Sequence, residues 1–299
     1  MIRTLTYDIP TEYEGKKLNE YLRHMRYSSP VITHLKRTPR GILLNDEWAR
    51  TSDLLHENDR LTIRIVENES SPNIVPVSLP LHILYEDKDI MVIDKPAGMP
   101  IHPSQGNYDN TLANAVCYYF RQQGINYVYR CITRLDRDTS GVLLLAKHMY
   151  SASLMSDDIK NRRIKREYLA VVSGLLPPEG TIDAPIARAP DSTIMREVNE
   201  ETGAPARTHF KLLYHENGYS LAALSLETGR THQIRVHMKH IGHPLPGDFL
   251  YYPDMTIIGR QALHSHKLQF PHPISGDLMQ FTSPLPDDMK KFFSEIVIH

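Results

Sequence analysis

The chain has 299 residues, of which 41% are hydrophobic, and this length suffices for one or two domains with their own cores. Its formal net charge of -1 disfavours a protein that coats nucleic acid non-specifically, although a local basic surface is compatible with it. The chain lacks a run of about 18 apolar residues, an apolar leader segment and enough cysteines for a disulfide framework, so we expect a cytoplasmic protein without a membrane span.

The first 67 residues are predicted to form a small α/β unit. A helix is expected over residues 15–25, where apolar side chains recur at helical spacing: Leu18, Tyr21, Leu22 and Met25. A Ser-Ser-Pro sequence then favours the start of a second helix over residues 31–37. Residues 41–50 indicate two short strands around an Asn-Asp turn, and residues 61–66 alternate as a half-buried strand does.

Residues 68–80 are rich in Ser, Pro and Asn and are predicted to be a linker, so the first unit (1–67) should fold apart from residues 81–299. In this second part, strands are expected at 81–87, 90–96, 142–148 and 167–174, and a hairpin at 209–229. Helices are expected at 111–124, 153–164 and 231–242, the last with Ile234, Met238 and Ile241 on one apolar stripe. This arrangement indicates an α+β fold with a mixed, mainly antiparallel central sheet and flanking helices.

The segment CITRLDRDTSG (131–141) places two acids and two arginines directly before the apolar run of a predicted strand. If the segment is extended, the side chains of Arg134 and Asp136 share one face, and the residues that follow are typical of a turn. One interpretation is a hairpin whose acids bind turn amides, which suits Asp138. It suits Asp136 less well, because a carboxylate beside an apolar run needs a cationic partner or a function.

The longer segment RLDRDTSGVLLLAK (134–147) resembles the signature of the RluA/RluD-type family of RNA pseudouridine synthases, H-R-L-D-x-x-T-S-G-L-L-L-x-A-K. Four other segments resemble further motifs of that family in the same order: DKPAGMPIHP (94–103), KREYLAVVSG (165–174), LETGRTHQIRVHMKHIGHPLPGD (226–248) and LHSHKLQFPHPISGDLMQFTSPLPDDM (263–289). Residues 15–63 resemble an S4-type RNA-binding module. Two positions depart from these patterns, since Thr133 replaces the family's histidine and Asn45-Asp46 replaces the module's Asn-Gly turn.

The resemblance implies a pseudouridine synthase fold and a reaction that breaks the N1–C1′ bond of a uridine, turns the base and rejoins it through C5, with no cofactor or metal. Asp136 would be the catalytic carboxylate, either as a nucleophile on the sugar or as a base for the C2′ proton. Arg235 would be its ion-pair partner, and Tyr168 would stack on the target base and assist removal of its C5 proton. The alternatives, without the motifs, are that Arg235 is a solvated helix residue and that Tyr168 is an ordinary strand aromatic.

The resemblance also implies contacts with RNA. Arg134 would enter the helical stack when the target nucleotide is flipped out, which offsets part of the cost of flipping. The other predicted contacts are basic residues of two regions: Arg137, Arg162, Arg163, Lys165, Arg166 and Arg230 near the uridine site, and Lys36, Arg37 and Arg40 in the first unit. Such charged runs can otherwise be solvated faces. The substrate is expected to be ribosomal RNA, with transfer RNA as the alternative, and the protein a monomer without an obligate protein partner.

Two further functions fit the residues of this chain. A protein of this fold could bind RNA without chemistry, and a hydrolase could use Asp136 on a glycosidic bond, although such enzymes usually need two carboxylates across the bond. Four histidines lie close in sequence without an HExxH pattern or a cysteine pair, so no metal site is predicted at His232, His237, His240 and His243. His102 and His243 are expected to make structural hydrogen bonds in loops.

Overall fold

The structure, a computed structural model, describes residues 1–295. Within the first 67 residues, the strands are β1 (Ile2–Asp8), β2 (Ile42–Leu44), β3 (Glu47–Trp48) and β4 (Arg60–Val66). They form an antiparallel sheet in the order β1-β4-β2-β3. Helices α1 (Leu18–His24) and α2 (Ser29–Arg37) share an apolar core with this sheet. The predicted helices and strands of this unit are confirmed with shifted ends, whereas β1 was not predicted, because Leu5 is its one buried residue.

The hairpin between β2 and β3 accommodates the departure from the Asn-Gly turn. Asn45 and Asp46 have φ values of 50° and 68°, which is the left-handed conformation that a tight two-residue hairpin turn requires at both positions. Asparagine and aspartate tolerate this conformation better than other non-glycine residues. Asn45 also accepts a hydrogen bond from the Arg60 amide at 2.8 Å, so the turn is anchored to β4.

The second part of the chain is built around a nine-stranded sheet. Its strands are β5 (Ile83–Glu86), β6 (Ile90–Lys95), β7 (Ser140–Ala146), β8 (Lys165–Ser173), β9 (Glu179–Asp183), β12 (Arg207–Glu216), β13 (Tyr219–Leu226), β14 (Leu263–Pro271) and β15 (Leu278–Thr282). Their order is β5-β6-β7-β14-β8-β13-β12-β9, with β15 paired to β14. Only the β7–β14 pair is parallel among these, which confirms a mixed, mainly antiparallel sheet.

The remaining elements of this part flank or extend the sheet. Strands β10 (Ile186–Arg188) and β11 (Arg196–Val198) form a separate ribbon, and the helices are α3 (Leu112–Gln122), α4 (Met149–Lys160), α5 (Gln233–His240) and α6 (Asp287–Lys290). The predicted apolar stripe of α5 is confirmed, because Ile234 and Met238 are buried and Ile241 is partly buried in the main core. Within residues 1–295, no helix is long and apolar enough to cross a membrane.

Several boundaries differ from the sequence predictions. Helix α4 begins at Met149, before the predicted start, because the His148 side chain caps it by accepting a hydrogen bond from the Ser151 amide. Strands β9, β10, β11, β14 and β15 were not predicted as strands. The predicted strand at 142–148 is confirmed as β7, and all seven of its residues are buried.

Residues 131–139 reach β7 by an irregular path. Cys131 forms an isolated bridge to Leu145, and the chain then leaves the sheet, so this segment is not a regular strand. The expected alternation of side chains nevertheless holds, since Thr133 and Leu135 are buried while Arg134 is exposed. Gly141 then allows close packing with β14, because a Cβ atom at this residue would lie 2.2 Å from the Ser265 carbonyl oxygen.

The first unit packs on the second part through helix α4. Its apolar core includes Tyr150 and Leu154, and the ring of Tyr27 stacks on that of Tyr150 with 3.9 Å between centroids. Arg3 of β1 also donates a 2.7 Å hydrogen bond to the Asp89 carboxylate. The predicted boundaries at 67 and 80 thus separate two sheets, but α4 contributes to both cores.

Candidate active site

Two adjoining cavities are lined by residues of the irregular segment 131–139, which leads into the first residue of β7. Their volumes are about 570 and about 60 Å³. Both are lined by the same six residues, and we call this region the central cleft: Arg134, Leu135, Asp136, Tyr168, Leu226 and Arg230. The cleft therefore brings residues of the signature segment, of β8 and of the segment before α5 to one place.

Asp136 forms an ion pair with Arg235 in the central cleft. The Arg235 Nη1 atom lies 2.9 Å from Asp136 Oδ2. The Asp136 side chain is 29% exposed, whereas the Arg235 side chain is 2% exposed. The carboxylate is thus accessible from the cleft, while the cation that faces it is buried beneath it.

Asp248 holds Arg235 from the other side. Its carboxylate accepts two hydrogen bonds from the guanidinium, at 2.6 Å from Nε and 2.7 Å from Nη2. Burial lowers the pKa of the Arg235 guanidinium, but the carboxylates of Asp248 and Asp136 together outweigh that effect and raise it. This planar two-bond contact fixes the guanidinium so that Nη1 points at Asp136. The sequence prediction did not include Asp248 as a site residue.

His232 is a second neighbour of Asp136 that the sequence prediction missed. Its Nε2 atom lies 3.9 Å from Asp136 Oδ2, and its Nδ1 atom lies 2.9 Å from the Tyr251 hydroxyl. Its backbone is left-handed, with φ of 58°, at the start of α5. Burial lowers the pKa of His232 below its ordinary value, so a neutral imidazole faces the carboxylate at neutral pH.

Tyr168 lies on β8 between Leu224 of β13 and Ser265 of β14. Its side chain is buried and lines both cavities of the central cleft. Burial raises the pKa of the Tyr168 phenol, which keeps the hydroxyl protonated at neutral pH. The three residues predicted to be catalytic, Asp136, Tyr168 and Arg235, are therefore neighbours of the same cleft.

The loop after Asp136 is held by two basic side chains, the buried Lys95 and the partly buried Arg260. Lys95 donates from Nζ to the Arg137 carbonyl at 2.9 Å, and also to the carbonyls of Pro96 and Met99. Burial lowers the pKa of the Lys95 ammonium to about 7. Arg260 donates to the Asp138 carbonyl at 3.2 Å. Neither cation was predicted, although both fix the backbone beside Asp136.

The hairpin interpretation of the acidic pair is wrong for Asp138. Its carboxylate accepts hydrogen bonds from the neighbouring Arg137 guanidinium, at 2.9 Å from Nη2, and not from turn amides in the described residues. The amide of Thr139 donates instead to the main-chain carbonyl of Asp136 at 3.1 Å. The turn is thus closed by the backbone.

The position of the family's histidine has a structural function here. The Thr133 side chain is buried, and its hydroxyl accepts a 3.0 Å hydrogen bond from the amide of Leu144 in β7. This contact secures the segment that leads to Asp136. His102 also differs from expectation, because it makes an edge-to-face contact with Tyr129 at 5.1 Å and no hydrogen bond within residues 1–295.

The four histidines considered as metal ligands have separate partners. His237 contacts the Thr208 hydroxyl and the Ala184 carbonyl, while His243 contacts the Ser173 carbonyl at 2.9 Å, as expected for a structural histidine. His240 is exposed, and His232 faces Asp136 and Tyr251. Three potential ligands do converge elsewhere in the described chain, but Asp87, Asp89 and His272 satisfy one another and their neighbours by hydrogen bonds.

The residues predicted to contact RNA are in different surroundings. Arg134 and Arg230 are exposed at the central cleft, and Arg166 lines its larger cavity. Arg162 is paired with Glu227 and Arg163 with Asp158, while Lys165 is exposed. Lys36, Arg37 and Arg40 are exposed residues of the first unit and do not line this cleft.

Phe249 adds an exposed aromatic ring at the mouth of the site. It directly follows Asp248, and its ring centroid lies 5.8 Å from the guanidinium carbon of Arg235 and 5.9 Å from that of Arg137. The sequence offered no pattern to single it out, because one aromatic residue in an irregular loop has no periodicity.

Comparisons with known proteins agree with this architecture. The family described as RNA pseudouridylate synthase matches residues 89–240. The Bacillus subtilis protein named Uncharacterized RNA pseudouridine synthase YjbO is 42% identical over 92% of this chain and 97% of its own length. The Ribosomal large subunit pseudouridine synthase D of Xanthomonas campestris is 38% identical over 85% of this chain and 80% of its own length.

The fold is likewise similar to a solved structure. Human RNA Pseudouridylate Synthase Domain Containing 1 superposes with a TM-score of 0.57 at 28% identity, over 69% of this chain and 83% of that one. The matched length of the bacterial relatives extends well beyond the signature segment. The chain therefore belongs to the RNA pseudouridine synthases of the RluA/RluD type, enzymes that isomerise uridine to pseudouridine in RNA.

Proposed function

We propose that this enzyme modifies a uridine of ribosomal RNA and that Asp136 is its catalytic carboxylate. The observation that carries the assignment is the arrangement of Asp136, which is accessible from the cleft and paired at 2.9 Å with a buried Arg235. The name of the Xanthomonas relative, a ribosomal large subunit enzyme, favours ribosomal RNA over transfer RNA as the substrate.

The reaction conserves all atoms of the uridine. The N1–C1′ bond breaks and its electron pair leaves with the uracil, the base turns, and a C5–C1′ bond forms. C5 then loses a proton and N1 gains one. Asp136 would act at C1′ as a nucleophile or at C2′ as a base, and both functions suit a carboxylate at the floor of the cleft. Tyr168 lines the same space and is placed to contact the turning base and its C5 proton.

A hydrolase is less compatible with this geometry. Cleavage of a glycosidic bond by two carboxylates needs a second acid on the other side of that bond. The nearby candidates are occupied, because Asp138 is paired with Arg137 and Asp248 with the buried Arg235. Glu227, which lines the larger cavity, is likewise paired with Arg162 and His209. No second carboxylate is therefore free to act across the bond from Asp136 among the described residues that line the cleft, which favours isomerisation.

The target nucleotide must leave its helical stack to reach Asp136. Arg134 is exposed at the rim of the central cleft, and its planar guanidinium could occupy the gap left by the flipped base. Arg166 and Arg230 line the same opening and would contact phosphates, as would the exposed Lys165. Arg137, Arg162 and Arg163 would do so once RNA competes for their acidic partners.

We further propose that residues 1–67 are an S4-like RNA-binding module, joined by a linker at 68–80 to a catalytic domain at 81–299. Lys36, Arg37 and Arg40 lie on or just after α2 and are exposed, as phosphate contacts must be. A monomer in the cytoplasm is the simplest state for this proposal, and both cysteines are free thiols, as a reducing compartment favours.

The test is product analysis with Asp136→Asn. Wild-type protein incubated with a transcript of large-subunit ribosomal RNA should yield pseudouridine, whereas the variant should lose at least about 100-fold in rate, as expected for removal of an acid–base or nucleophilic group. Asp138→Asn is the matched control, since it is in the same loop and also paired with arginine. Free uracil would indicate a hydrolase, and binding without any product would indicate a binding protein.

A further inference from the structure

The first unit exposes an aromatic ring beside two cations. Trp48 is the one tryptophan of the 299-residue chain, and it is 60% exposed on β3, an edge strand of the four-stranded sheet. A cleft of about 700 Å³ adjoins it and is lined by Lys36, Ala49, Arg50, Thr51 and Ser52. Tryptophan is enriched at binding interfaces, because its large ring is apolar and its N–H can donate a hydrogen bond.

The two cations of this cleft are available for a ligand. Lys36 and Arg50 are exposed, and neither side chain has an ion-pair partner within residues 1–295. The lining contains hydroxyls and cations and no acid. Two acids are close in sequence: Glu47 alternates to the opposite side of the strand from Trp48, and Asp53, which does not line the cleft, accepts a 2.7 Å hydrogen bond from the Arg50 amide. The electrostatic character of the cleft therefore suits a polyanion.

The backbone that carries the ring is held in place by its hairpin. Trp48 pairs with the buried Leu43 of β2. The turn before it is fixed by the Asn45 side chain, whose amide donates to Asp59 at 2.7 Å, and by Arg40, which donates to the Asp46 carbonyl at 3.0 Å. The platform thus requires little ordering when a ligand stacks on it.

We propose that Trp48, Lys36 and Arg50 form a binding site for an unpaired nucleotide of single-stranded RNA, with the base on the indole and its phosphates on the cations. This inference rests on the proposed RNA-binding function of residues 1–67 and specifies where and how that unit binds. A flat aromatic face flanked by cations is the arrangement by which proteins hold single strands without regard to sequence.

The sole tryptophan makes the site directly observable in the full-length protein. A 12-nucleotide oligouridylate should quench the tryptophan emission in a saturable manner, with the same Kd as anisotropy of the labelled strand. An abasic strand of equal length has the same phosphates and should bind without this quenching. Binding of oligouridylate with unchanged emission would overturn the proposal.

Substitutions separate stacking from charge. Trp48→Ala should weaken oligouridylate binding by about 5- to 150-fold, which corresponds to the roughly 1–3 kcal/mol of one base–aromatic stack, whereas Trp48→Phe should retain most of the affinity. Ile2→Ala is the matched control, because Ile2 is 61% exposed on β1, at the opposite edge of the same sheet. Equal affinity of Trp48→Ala and wild type would refute stacking.

A third variant distinguishes base stacking on Trp48 from the more general proposal that residues 1–67 bind RNA. Lys36→Ala combined with Arg50→Ala should reduce the salt slope of binding by about 1.4, at about 0.7 for each phosphate contact on a single strand. If this variant binds more weakly while Trp48→Ala does not, the unit binds RNA through phosphates and only stacking is refuted. If neither variant changes binding, the RNA-binding function of this surface is refuted as well.

Discussion

The buried contact between Arg235 and Asp248 offers a sharp test of how the site is organised. Asp248→Asn keeps the volume of the side chain but replaces one acceptor oxygen by an amide nitrogen, which would face a guanidinium that can only donate. Of the two hydrogen bonds at 2.6 and 2.7 Å, at most one survives. Because the Arg235 side chain is only 2% exposed, water cannot easily replace the lost acceptor.

The size of the effect follows from this burial. Breaking a buried ion pair from one side costs about 3–5 kcal/mol, and Asp136 remains as a second partner at 2.9 Å, so we expect the lower end. At roughly 2–4 °C per kcal/mol, the melting temperature should fall by about 6–12 °C. A guanidinium displaced by about 1 Å also costs on the order of 100-fold in rate, and we expect kcat to fall by about that factor.

The assay combines thermal unfolding with steady-state rates of pseudouridine formation measured over a range of RNA concentrations up to saturation. KM should change little, because Arg235 lies beneath Asp136 and not on the exposed surface. Asp183→Asn is the control, since Asp183 is paired with Arg207 at the surface, and it should alter neither readout. A lowered melting temperature with wild-type kcat would refute the positioning function of Asp248, and an unchanged melting temperature would refute the energetic argument.

Three other predictions follow from the structure. Burial lowers the pKa of His264 to about 4 from an ordinary 6.5, so on acidification His264 takes up a proton in the unfolded chain before it does so in the folded protein. The free energy of unfolding should therefore decrease as pH falls from about 6.5 to about 4. In denaturant titrations at several pH values, His264→Gln should flatten this dependence. Arg134→Ala should reduce activity more on a stem-loop than on a flexible strand, and equal losses would contradict base flipping by this residue. A shortened chain that begins at residue 75 should melt at a lower temperature than the full chain, because Tyr150 and Leu154 lose their apolar cover. If the shortened chain melts at the same temperature as the full chain, this prediction is wrong.

The proposed catalytic residues could be predicted because each lies in a contiguous segment that resembles a family motif. Asp136, Tyr168 and Arg235 were identified in this way, and their proximity in one cleft agrees with it. Asp248 was within reach of the same approach, since it ends the segment 226–248. A buried arginine with one carboxylate partner still has donors to satisfy, and this requirement could have directed attention to a nearby acid. Lys95 was equally within reach, since it lies in the segment 94–103. Arg260 lies outside the motif segments, and its contact with the loop after Asp136 is to a main-chain carbonyl, whose position depends on the fold and not on residue type.

The relation between the two parts of the chain shows the same limit of sequence patterns. A Pro/Ser-rich segment at 68–80 indicates where connectivity is loose, but it says nothing of contacts made by side chains on either side of it. Tyr27 and Tyr150 each have the pattern of an ordinary core aromatic, and only the fold shows that they stack on one another. The partly buried Arg26 likewise pairs with Asp158 of α4 at 2.6 Å, and Arg163, a predicted RNA contact, shares that same carboxylate. A charge on Asp158 therefore links the first unit to the basic end of α4, so RNA that displaces Arg163 from this acid would also alter the contact between the two parts.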